Sequence, residues 1–248
     1  MADNRFMNTA AADAAQIDVG LRSYMLGVYN HMTVALLFSG FFAFGTKMLT
    51  TVNNAAGDVV GLTQLGYALY ASPLKWVVML APLGMVFWLS ARIDRMSASK
   101  ARTVFYVFSA LMGISLSSIL ITFSMPSVAR AFFITAGAFA GLSLYGYTTK
   151  RSLSGMGSFL TIGVFGLIIA MVVNIFLQSS AMHFAISMIG VLIFAGLTAY
   201  DTQIIKNMHR AGDSAAVSAK KSIHGALRLY LDFINMFMFI LQLFGNRE

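Results

Sequence analysis

The sequence predicts an all-α integral membrane protein, a bundle of seven spanning helices. Three observations predict it. Of 248 residues, 58% are hydrophobic and only 10% charged, with a mean hydropathy of +0.76; soluble domains carry about 25% charged residues. The apolar residues collect into seven continuous runs, each near the ~20 residues that a helical span needs. The basic residues collect in alternate loops between those runs.

The first run, about Val28 to Leu49, is rich in Phe. Before it lies an Ala-, Asp- and Asn-rich stretch, read as a flexible cytoplasmic tail over 1–21 ahead of a membrane domain over 22–248. The tail lacks a basic-then-apolar pattern, so no cleaved signal peptide is expected. The second run, Leu74 to Ala91, carries Pro82, a kink position that a membrane helix tolerates. The third covers Val104 to Phe123 and the fourth Val128 to Tyr147. The fifth covers Phe159 to Leu177 and the sixth Met182 to Ile205. The seventh, Ile223 to Phe244, is the most polar, with His224, Arg228, Asp232 and Asn235 inside it. Transmembrane strands would alternate apolar and polar residues over ~10 positions, whereas these runs are continuous. The pairs Gly137/Gly141 and Gly163/Gly166 are read as close helix-packing positions. A short internal echo, Ala140 to Thr149 against Ala195 to Gln203, fits either a parallel repeat or the likeness of Ala/Gly/Thr-rich helix ends.

Loop charge sets the orientation. The 92–102 loop holds Arg92, Arg95, Lys100 and Arg102; the 148–158 loop holds Lys150 and Arg151; the 206–221 loop holds Lys206, Arg210, Lys220 and Lys221. The opposite loops hold Asp58 at most. Basic loops face the cytoplasm, which puts the N-terminus there too. Seven full spans then place Arg247 and Glu248 outside, while a re-entrant seventh segment would return them inside. The net charge of +8 serves topology and anionic lipid, not nucleic acid. The absence of cysteine removes disulfides, thiolate metal sites and cysteine nucleophiles. His31, His183, His209 and His224 form no zinc-site spacing. No P-loop, Rossmann fingerprint or Gly-x-Ser-x-Gly is present, and no cofactor is expected.

Two aspartates stand where aspartates are costly. Asp201 ends the sixth run and Asp232 lies about ten residues into the seventh. A carboxylate at membrane depth survives only against a bundle interior, a partner or water. Both lie toward the cytoplasmic half, so they can meet. Two nearby carboxylates cannot both ionise cheaply, so the pair should titrate as a unit. The plain alternatives are a bridge from Asp201 to Lys206 and one from Asp232 to Arg228, four residues earlier on the same helix face. Arg92, closing the second run at the same membrane face, is a further candidate partner.

The segments Gly196-Leu-Thr-Ala-Tyr-Asp-Thr-Gln203 and Leu229-Tyr-Leu-Asp-Phe-Ile-Asn235 resemble the Bax inhibitor family, bacterial branch. So do Gly141 to Arg151 and Ser109 to Ser118, and the similarity runs from about Tyr24 to the C-terminus. The resemblance implies a bundle whose seventh helix is central, in the inner membrane. It implies a pH-sensitive Ca²⁺ leak, with Asp201 and Asp232 as pH sensor and cation site. It implies a second-helix arginine that latches the closed state, matched here by Arg92, with Arg228 as the other latch candidate. The bilayer, Ca²⁺ ions and other membrane proteins are the partners expected. The alternative in the same family is a regulator that binds a membrane protease without transport. Tyr200-Asp201 also matches half of an intramembrane aspartyl protease signature. The other half, Gly-x-Gly-Asp, is replaced by Tyr230-Leu-Asp232, and no enzyme activity is expected.

Overall fold

A computed structural model of the chain describes residues 3–54 and 59–246, with side chains from Val19 onward, residue 94 excepted. All seven predicted spans are helices long and apolar enough to cross a membrane. Helix α1 runs Asp3–Thr50, beginning inside the stretch read as a tail. A bulged antiparallel hairpin follows, β1 (Thr51–Asn53) and β2 (Val59–Leu62). Short α2 (Gln64–Gly66) and a π-helical turn over Tyr67–Ala71 lead into α3 (Leu74–Arg92). The third span is α4 (Ala98–Leu116), extended by α5 (Ile119–Thr122). Then come α6 (Met125–Thr148), α7 (Ser154–Leu177), α8 (Ser180–Met208) and α9 (Ala215–Phe244).

Serine caps open three of the spanning helices. Ser97, Ser179 and Ser214 each accept from the backbone N–H three residues on, at the starts of α4, α8 and α9. The turn from α7 to α8 is two residues long. Gln178 takes a left-handed conformation (φ 49°), and the Asn174 side chain accepts from the Ser179 amide. The hairpin was not foreseen: in a 24-residue connection with one charge, nothing alternates strongly enough to mark a strand.

Helix α9 is central. It packs on α1, α4, α6 and α8, while α3 packs chiefly on α4 and α7 on α8. It is the most buried of the seven spans, and Leu227, Leu229, Tyr230, Met236 and Leu241 are buried along it. Its polarity is therefore turned toward protein, which is what a charged segment in a bilayer requires. It also crosses completely. At its far end Asn246 accepts from the Ser124 amide and donates to Ser127 Oγ (both 3.1 Å), at the start of α6 and opposite the basic loops.

Three of the four glycines expected at close helix contacts face open space. A methyl group at Gly137, Gly141 or Gly166 would meet nothing within 4 Å, and of the four only Gly163 abuts a neighbour, Ile193. Close packing falls elsewhere. A Cβ at Gly146 would strike the Ala199 carbonyl, so α6 and α8 touch backbone to backbone; one at Gly157 would strike the Tyr200 ring. The first contact joins the two segments of the sequence echo across the α6–α8 interface; the second ties α7 to the later of them.

Candidate functional site

The site is organised by four consecutive residues of α8. Successive helical residues point about 100° apart, and here each reaches a different part of the bundle. Tyr200 lies over Gly157 of α7. Asp201 faces α9. Thr202 Oγ1 is 2.9 Å from Ser143 Oγ of α6, which is 2.6 Å from Tyr29 Oη of α1. Gln203 clamps the α6–α7 connection: its amide nitrogen donates to Arg151 O, and its Oε1 accepts from Leu153 N, both at 2.8 Å.

Asp201 and Asp232 are both buried, at 6% and 5% exposure. The Arg228 guanidinium forks onto Asp201, Nη2 to Oδ1 at 2.8 Å and Nε to Oδ2 at 3.1 Å. This two-point geometry is the strong form of an arginine–carboxylate contact. It ties α8 to α9 across the most extensive helix interface of the protein. Asp232, one turn beyond Arg228, feels the charge of both Asp201 and Arg228. Its Oδ2 is buried, and no described residue donates to it. A buried carboxyl oxygen without a donor calls for a proton or a cation.

The structure thus brings Asp201, Asp232 and Arg228 together and leaves the plain bridges unmade. Arg228 spans the helices and not its own helix face. Lys206 donates instead to Tyr147 O (2.6 Å) and sits over the Tyr147 ring (5.1 Å). Arg92 ends α3 exposed, and neither described ion pair includes it; these are Arg228–Asp201 and Lys221–Asp213. No group of three or more His, Asp or Glu residues is assembled among the described residues.

Two polar nodes around the site carry no mark in the sequence. In one, Ser39 Oγ is 2.6 Å from Tyr230 Oη and 2.7 Å from Ser109 O, joining α1, α4 and α9. Phe105 and Phe108 meet the Tyr230 ring edge-on. In the other, the Tyr29–Ser143–Thr202 hydroxyls run from α1 to the residue beside Asp201. Their signal was the presence of Ser, Thr and Tyr in apolar runs, too common in membrane helices to single out.

Known proteins resemble this chain along nearly its whole length. The family described as "Inhibitor of apoptosis-promoting Bax1" matches residues 21–248. The chain is 44% identical to the inner membrane protein YbhL of Escherichia coli, over 92% of this chain and 94% of that protein. It is 43% identical to a protein of Caulobacter vibrioides, over 98% and 97% of the two chains.

Proposed function

Because this chain belongs to the Bax inhibitor family, we propose that it is an inner-membrane cation leak, selective for Ca²⁺ and gated by protons at Asp201 and Asp232. The observation that carries the reading is the Arg228 fork on Asp201 beside the undonated Oδ2 of Asp232. With Asp201 ionised, Arg228 holds α8 against α9. Protonation of Asp201 removes the charge that anchors the fork. Arg228 then has a second carboxylate within reach, Asp232 at four residues on its own helix. A move from the first partner to the second converts an interhelical tie into an intrahelical one and frees the two helices to part.

Ca²⁺ takes six to eight oxygen ligands. Two carboxylates supply only a share of these, the rest falling to water and backbone carbonyls. Such a set suits an ion that passes better than one that is held. Protons and Ca²⁺ compete for the same oxygens, so the flux should depend on pH at fixed Ca²⁺.

The test is Ca²⁺ flux into liposomes holding the purified protein, measured against pH. Asp201→Asn and Asp232→Asn should each flatten the flux–pH curve, and the double variant should be little worse than either, since the two act as a unit. Full pH dependence in the double variant would sink the shared site. Background flux from the wild type at every pH would favour the family's other reading, a regulator of membrane proteins without transport.

A further inference from the structure

A groove of about 690 Å³ lies between α1 and α6, with Phe233 of α9 at its floor. It is within the size range of small-molecule sites, and its walls are apolar side chains such as Met25, Leu36, Phe132 and Phe139. Among its described lining residues the one charged group is Arg22, which is exposed and stands at the end where the basic loops are. We propose that this groove holds one acyl chain of an anionic phospholipid of the cytoplasmic leaflet, with the headgroup phosphate on Arg22.

Length, charge and position agree on this occupant. From Arg22 to Leu36 the α1 wall is 14 residues, about 21 Å at the helical rise. From Tyr147 to Phe132 the antiparallel α6 wall covers nearly the same depth. One leaflet contributes about 15 Å of hydrocarbon plus its headgroup layer, so the groove runs from headgroup level to the bilayer midplane. Arg22 is then at the depth of a phosphate. A second groove, of about 430 Å³ between α7 and α8, is lined only by apolar residues and glycine. It provides an internal contrast: hydrocarbon can enter it, but no headgroup is selected. An occupant of the α1–α6 groove touches Ser143, hydrogen-bonded to Thr202, and Phe233, the neighbour of Asp232. Lipid there bears on both sides of the acid pair.

The experiment is native mass spectrometry of the full chain in detergent, titrated with phosphatidylglycerol or with phosphatidylcholine of the same acyl chains. The wild type should retain one phosphatidylglycerol about fivefold more tightly than phosphatidylcholine, as one basic residue at an anionic headgroup would give. Arg22→Ala should bring the two lipids level, while Lys100→Ala, a cation on the same face away from the groove, should leave the preference intact. Ala140→Trp, which puts a ring into the groove, should abolish retention of either lipid. Inorganic phosphate should not compete, because the chain supplies the apolar part of the affinity. Equal retention of the two lipids by the wild type would overturn the proposal. So would an undiminished preference in Arg22→Ala, an exposed position whose loss does not threaten folding, or a lipid-free dimer in which a second copy covers the groove.

Discussion

Replacing Arg228 by alanine tests the latch most directly. The substitution leaves the Asp201 carboxylate buried, its side chain 8% exposed, without the cation that accounts for both of its oxygens. Removing one partner of a fully buried pair costs about 3–5 kcal/mol, whereas an exposed pair is worth about 0.2–1 kcal/mol. The Arg228 side chain is 37% exposed, so the tie between α8 and α9 falls between these limits, at about 2 kcal/mol by the same two bounds. That is roughly a thirtyfold change in the balance of joined and parted helices. In liposomes at neutral pH, Arg228→Ala should therefore raise Ca²⁺ flux by about an order of magnitude or more. Arg228→Lys should fall between, because an ammonium keeps the charge but not the two-point fork. A cycle with Asp201→Asn should be non-additive by about 0.5–3 kcal/mol, the range for residues in contact. Arg92→Ala, at an exposed helix end outside the described ion pairs, should change flux little. Wild-type flux from Arg228→Ala, or strict additivity with Asp201→Asn, would refute the latch.

Three further outcomes follow from the same geometry. Gly146→Val should lower thermal stability in detergent by about 1–3 kcal/mol, the usual cost of overpacking, whereas Gly141→Val should be near neutral; equal effects would mean that the α6–α8 backbone contact carries no weight. The connection between α8 and α9 is closed by Lys221 Nζ on Asp213 Oδ2 (2.6 Å), and this contact, first among its causes, holds the Asp213 carboxyl below its ordinary range. A lowered folded pKa means that the closure is fully present above the ordinary carboxylate value of about 4 and is lost as pH falls through the folded value. Hydrogen exchange over 209–214, corrected for the intrinsic rate, should rise on acidification in the wild type and be high at neutral pH in Asp213→Asn. Ser152→Cys should resist membrane-impermeant thiol reagents in intact cells, in a chain with no native cysteine to confuse the result; labelling from outside would invert the topology.

The spans were legible because a bilayer imposes one rule on every residue of a segment, and run length alone reveals it. Asp201 and Asp232 were legible for the complementary reason: the cost of a buried charge makes it conspicuous in an apolar run. The partner of Arg228 was not. Four residues separate it from Asp232 on one helix face, and that spacing is visible in a sequence; the bundle geometry that offers it Asp201 instead is not. The glycines misled for a similar reason. Regular spacing of small residues marks an available groove, but only the neighbouring helix decides whether it is filled, and Gly146 and Gly157 face backbone and ring while Gly137 and Gly141 face open space. The Tyr200 to Gln203 run stood out as a motif without showing why it is one. Its reason is radial, since each residue answers to a different neighbour.

The central position of α9 constrains how the protein is made. A charged residue at the middle of an isolated spanning helix costs about 2.5–3.5 kcal/mol to insert from the translocon, and α9 carries both Arg228 and Asp232. Alone it is a poor candidate for insertion. Its neighbours provide the solvent it needs: Asp201 for the arginine, Ser39 for Tyr230, and Ser187 of α8 donating to Gln242 near the far end. Yet α9 leaves the ribosome after every helix it packs against. The earlier helices must wait as an incomplete shell, with an acid on α8 and the Ser39 hydroxyl on α1 turned toward a slot not yet filled. The interior is thus neutralised only when α9 arrives, and a nascent chain stalled before that step is the form that membrane quality control should recognise.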